Sequence, residues 1–221
     1  MNLIEQGIKQ MQNNELEKAA QSFNDYIEEN PKDPVGFINF GNLLNVLREY
    51  DKAQNFFQRA IELDSKSATA YYGLGVLHFE QNDFQQAAKD FQKAVGLGLD
   101  DADAYYMLAV SLRNQQSEKL ALPFFQRASE LNPKDAEIQF QFGLSLAYNQ
   151  QIDTALQQLL KVTELDDQHA DAYYNIAVCY LHKDLPKKAL TYFEKTLAAQ
   201  PDHLLAADGK QKVKDYLDES T

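Results

Sequence analysis

The sequence predicts an all-α fold, an array of six two-helix units closed by one further helix. Three observations carry that prediction. Within 68–94, Tyr71, Leu74, Gly75 and His78 fall at i, i+3, i+4 and i+7, one face of a helix. The polar break Gln81-Asn82-Asp83 follows, and then Ala87, Phe91 and Ala94 line one face of a second helix. The same pattern returns every 34 residues with no insertion or deletion, and one alanine recurs in every copy: Ala19, Ala53, Ala87, Ala121, Ala155 and Ala189. Two short helices cannot bury both faces alone, so each copy must be covered by its neighbours.

The repeats span 1–33, 34–67, 68–101, 102–135, 136–169 and 170–203, and a capping helix is expected over 204–218. Repeat one carries Leu3, Gly7, Phe23 and Tyr26 in register. Its first helix is polar at Gln6 and Gln10, as suits a terminal unit with one uncovered face. Repeat two carries Phe37, Phe40, Gly41, Leu44, Phe57 and Ala60, and repeat four Tyr105, Leu108, Ala109, Leu112, Phe125 and Ala128. Repeat five carries Phe142, Gly143, Leu146, Leu159 and Val162, and repeat six Tyr173, Ile176, Ala177, Tyr180, Phe193 and Thr196. Pro31, Pro133 and Pro201 mark closing turns, and Asp or Ser residues are placed to cap the helices that follow. Gly96 and Gly98 predict a softer joint between repeats three and four. Pro123 predicts a kink or a late start in its helix, whereas Pro186 sits where a helix tolerates proline. In the tail, Leu205, Gly209, Val213, Tyr216 and Leu217 form a stripe suited to covering repeat six.

Composition narrows the function. The net charge is −12 and no basic patch stands out, which argues against nucleic acid and anionic membranes as partners. No stretch approaches the ~20 apolar residues of a membrane span, and residues 1–20 lack the basic start and apolar run of a signal peptide. A single cysteine, Cys179, forms no internal disulfide and suits a reducing cytoplasm. The four histidines, His78, His169, His182 and His203, show no metal-ligand spacing, and no phosphate loop or nucleophile elbow is present. No catalytic residue, metal or cofactor is expected, and the chain is read as a non-enzyme.

The aromatic, Leu-Gly, Ala, Phe, Ala, Pro pattern at this period resembles the tetratricopeptide repeat (TPR) family over residues 1–203. That resemblance implies a right-handed α-solenoid that holds a segment of another protein. It also implies a concave face lined by the second, fifth, ninth, twelfth and thirteenth positions of each first helix. Here those positions supply Ile38, Tyr72, Tyr106, Phe140 and Tyr174 at the fifth, and Asn42, Val76, Val110, Leu144 and Val178 at the ninth. Phe79, Arg113, Tyr148, Leu181 and His182 stand near the twelfth and thirteenth, and Asp103, Glu137 and Asp171 at the second. The ninth position is often polar in the family, so an apolar row there points to binding. The expected partner is a protein segment with apolar anchors and a Lys or Arg drawn to the acidic rail. The clamp by which TPR co-chaperones grip acidic chaperone tails is not matched, because Ile4, Ile38, Thr69 and Asp103 replace its lysines. Similarity to compact all-TPR bacterial proteins implies a monomeric adaptor in a bacterial cytoplasm. The competing reading is an assembly factor that self-associates through its ends or its last helix.

Overall fold

A computed structural model describes residues 2–219. Among them are thirteen helices and no strand. The first helices of the repeats are α1 (Leu3–Gln12), α3 (Pro34–Val46), α5 (Ala68–Glu80), α7 (Ala102–Asn114), α9 (Ala136–Tyr148) and α11 (Ala170–His182). The second helices are α2 (Leu16–Glu29), α4 (Tyr50–Leu63), α6 (Phe84–Gly96), α8 (Glu118–Leu131), α10 (Ile152–Leu165) and α12 (Pro186–Ala199). Helix α13 (Leu204–Glu219) ends the chain. The predicted boundaries at 34, 68, 102, 136, 170 and 204 are helix starts.

Local chemistry explains the starts and stops. Asn2 and Glu5 form a reciprocal capping box on α1. The side chains of Asp33, Asp101, Asp135 and His169 accept backbone N–H groups of the first turns of α3, α7, α9 and α11. Ser67, expected to cap α5, makes no such bond. Pro34 and Pro186 occupy first turns, where their missing N–H has no intrahelical role. Helix α8 does not start late: it runs through Pro123 from Glu118. Pro123 and Lys119 are both exposed, so the carbonyl deprived of its donor lies on a solvent-facing turn.

The turn inside each repeat uses one device. Asn14, Arg48, Asn82, Gln116, Gln150 and Asp184, spaced by 34, all have φ between 54° and 62°. In repeats one, two, three, five and six the next residue's N–H reaches back five residues, as in Glu49 N to Leu44 O at 2.9 Å. This closes each first helix in a left-handed cap that glycine usually fills. Arg48 gains nothing from its Cβ in that conformation. Arg48→Gly is therefore expected to stabilise the protein by about 0.5–1 kcal/mol, measured as a raised urea midpoint.

The helices form two compact units, residues 1–116 and 117–221. In the first, α1 to α7 pack in sequence order, each on the next. The Gly96–Gly98 joint lies inside this unit, between the packed helices α6 and α7. The repeated alanine and the phenylalanine four residues on (Phe23, Phe57, Phe91) are fully buried. Each ring lies on a glycine of a first helix: Phe23 on Gly7, Phe91 on Gly75, and Phe57 between Gly41 and Gly73. A Cβ at Gly41 would stand 2.8 Å from the Phe57 ring, so these glycines set how closely the helices approach.

In the second unit α8 to α13 pack in the same order. Leu159 on Gly143 and Phe193 on Gly209 repeat the lock. Gln139 stands where other repeats carry an aromatic, and its Nε2 donates to the Ser129 carbonyl at 2.9 Å while its oxygen accepts from Gln158. This buried pair replaces ring packing with satisfied hydrogen bonds. Helix α13 covers α12 through Ala206, Gly209, Val213 and Leu217. The predicted stripe is only half buried, because Leu205 and Tyr216 point out.

Candidate functional site

The sequence-predicted residues come together most clearly in the second unit. Leu144 on α9 and Val178 on α11 are neighbours across the two first helices. With Tyr148 they wall an opening of about 240 Å³. Both aliphatic side chains are half-buried, and Tyr148 is 67% exposed at the lip. Ala147, Gln150, Ile152, Asn175, Cys179 and His182 complete the lining; of these His182 stands at a position mapped to the groove, and the others do not belong to the predicted contacts. Ala147 and His182 stand at the twelfth and thirteenth positions of their first helices, Asn175 and Cys179 at the sixth and tenth, and Gln150 and Ile152 at the turn and the start of the next helix. A map of one helix face leaves out Asn175 and Cys179, which lie about 100° around the helix from the fifth and ninth positions.

Two predicted floor residues are core residues instead. Ile38 is 8% exposed and belongs to the packed interior of the first unit. Phe140 is 7% exposed and belongs to the interior of the second, its ring centroid 4.5 Å from that of His169. Ile38 belongs to a packed cluster with Ala70 and Leu74 of α5; for Phe140 the physical cause is the cap of the next helix. His169 accepts the Ala172 N–H through Nδ1 at 3.2 Å and lays its ring on Phe140. One repeat on, His203 accepts the Ala206 N–H at 3.1 Å and stacks on Tyr174 at 5.0 Å. Tyr174 also meets Phe193, at 5.9 Å, and stays half-buried.

In the first unit Tyr72, Val76, Phe79, Tyr106, Val110 and Arg113 are half-buried, and Asn42 and Asp103 are exposed. The Tyr72 ring contacts Phe91 at 5.5 Å, and Phe79 meets Phe84 edge-on at 5.3 Å. The Tyr72 hydroxyl is pushed above its ordinary pKa by burial and then by the negative charges of Asp103 and Asp101.

The rail residues Glu137 and Asp171 of the second unit are exposed, as Asp103 is in the first. Glu137 accepts from Gln141 at 2.6 Å, and Asp171 lies 3.3 Å from His203 Nε2. Leu181 is 37% exposed at the end of α11.

Cys179 is 2% exposed, and burial pushes its thiol up to about 11, so it stays protonated and unreactive. His78 Nδ1 lies 2.7 Å from Asp90 Oδ2 between α5 and α6, and both side chains are close to fully buried. Burial pushes the Asp90 carboxyl up, against the opposing hydrogen bonds from His78 and Gln86. That pair ties two helices of one repeat together. Among the described residues, no group of three or more His, Cys, Asp or Glu side chains could hold a metal ion. No helix among them is long and apolar enough to cross a membrane.

The tetratricopeptide repeat profile matches residues 39–98, 77–136 and 140–203. The crystal structure of YrrB, described as a TPR protein with an unusual peptide-binding site, is similar at 44% identity. It superposes with a TM-score of 0.83 over 87% of this chain and 99% of its own. MamA from Desulfovibrio magneticus RS-1 is 20% identical over 76% of this chain and 94% of its own, with a TM-score of 0.67. PilF of Pseudomonas aeruginosa is 16% identical over 97% and 96%, with a TM-score of 0.76. The last two share the fold alone. No curated protein matches the chain.

Proposed function

Because the chain belongs to the tetratricopeptide repeat family, we propose that it is a non-catalytic adaptor that holds a segment of a partner protein against its first helices. The observation that carries this reading is the opening walled by Leu144, Tyr148 and Val178. At about 240 Å³ it lies below the ~300–1,000 Å³ of a small-molecule site and suits one apolar side chain. Exposed Glu137 and Asp171 on the same first helices favour a neighbouring Lys or Arg in the partner. The likeness to YrrB, itself described as having a peptide-binding site, supports a peptide as the ligand.

A monomer in a reducing cytoplasm fits this reading. The single thiol is buried, and α13 is polar where another helix would have to stack, at Gln211 and Lys214. Light scattering should show a mass independent of concentration.

A titration of isotope-labelled protein with two synthetic hexapeptides tests the site. The basic peptide KLKKAK is expected to shift amides around Leu144, Tyr148 and Val178, and the acidic ELEEAE to bind at least tenfold more weakly. Shifts that map elsewhere, or equal affinity for both peptides, would sink the reading.

A further inference from the structure

The opening between α9 and α11 has a counterpart one repeat on, between α11 and α13. Leu181, Pro186, Val213 and Tyr216 line a second opening of about 250 Å³, with Asp184 and Lys212 at its lip. Each of the six stands 34 residues after a lining residue of the first opening: Ala147, Ile152, Cys179, His182, Gln150 and Val178. Helix α13 thus stands in the register of the first helix of a seventh unit.

Its two faces differ in a way that a mere cap does not need. At the positions that in α11 hold Ala177 and Tyr180, which pack against α12, α13 has Gln211 and Lys214, both exposed. That face is built for water. Toward the opening it keeps Val213 and Tyr216, and Tyr216 is 60% exposed. Opposite it, Leu181 is 37% exposed.

We propose that α13 is part of the recognition surface: the α11–α13 opening receives a second apolar side chain of the same partner segment that fills the α9–α11 opening. This rests on the peptide-binding reading above. Two features select that occupant. The second opening continues the first at the same register, on the same helix α11. Its lip is acidic on balance, since Lys212 is paired with Asp208 at 2.7 Å and Asp184 is exposed, so it suits the basic, apolar segment that the first opening suits. Neighbouring first helices lie roughly 10 Å apart. A segment in the polyproline II conformation, with about three residues per turn and a rise of about 3.1 Å, covers that distance in three residues and keeps both anchors on one side. The partner would therefore carry two apolar residues three apart, with basic residues between and around them.

The test compares the hexapeptides KLKKLK and KLKKAK by the same labelled-protein titration. The two-anchor peptide is expected to bind about tenfold tighter, and it alone should shift the amides of Val213 and Tyr216. In Tyr216→Ser the gain should vanish, while KLKKAK keeps its wild-type affinity. Tyr216 is mostly exposed, so the variant should fold, which circular dichroism checks. Equal affinity of the two peptides, or a gain that survives Tyr216→Ser, overturns this proposal and leaves the adaptor reading standing. Binding of neither peptide overturns both.

Discussion

Phe57→Ala is expected to destabilise the protein by about 3–5 kcal/mol, the cost of emptying a fully buried aromatic site. The upper part of that range is expected because the seat cannot collapse. The ring lies between Gly41 on α3 and Gly73 on α5, and both glycines present backbone to it. A leucine or isoleucine wall could rotate into the void, but a helix backbone cannot without moving the whole helix. The loss also strikes twice, since Gly41 lies in the same repeat as Phe57 and Gly73 in the next. In a repeat array stability is the sum of such internal and neighbour terms. Urea unfolding measures the loss. A loss below about 1 kcal/mol would show that α3 and α5 close onto each other and that the glycine seat is soft.

Val178→Asn is expected to weaken binding of KLKKAK by about tenfold to a hundredfold, which is the worth of burying one aliphatic side chain. Val178 is half-buried at the ninth position of α11, where it forms one wall of the opening with Leu144. The family often has a polar residue at this position, so the variant should fold. Binding and stability are thus separated: the affinity should fall while the urea midpoint stays within error. Unchanged affinity would remove the α9–α11 opening from the binding site.

The register of the array was legible because it rests on residues whose role is set inside one repeat. Ala53, Phe57 and Ala60 pack in the same way as Ala87, Phe91 and Ala94, so spacing alone located α4 and α6. Helix starts followed from Pro34 and from the aspartates at 33, 101 and 135. The exposure of the fifth position was not legible. Phe140 and Tyr174 look alike in sequence, and what covers each of them is a histidine 29 residues further on, His169 or His203. That cover depends on the rotamer of a capping side chain, which no helical pattern encodes. Ile38 was misread for a similar reason, since a ladder position says which face a residue is on and not how deep the next helix sits. The left-handed turns went unnoticed because the residues there, among them Arg48 and Gln150, are not the glycines that usually announce them.

Packing in strict sequence order has a kinetic consequence. Within each unit the helices that touch are neighbours, or next neighbours, along the chain. Hydrogen bonds between repeats follow suit: Gln115 Nε2 donates to the Phe84 carbonyl and Asn149 Nδ2 to that of Glu118, each across 31 residues. Closing such short loops costs little entropy, and each doubling of loop length would add only about 0.6 kcal/mol. Any adjacent helix pair can therefore serve as a nucleus, and growth can proceed toward either end. As the chain leaves the ribosome, each completed repeat of a unit finds its partner surface already made.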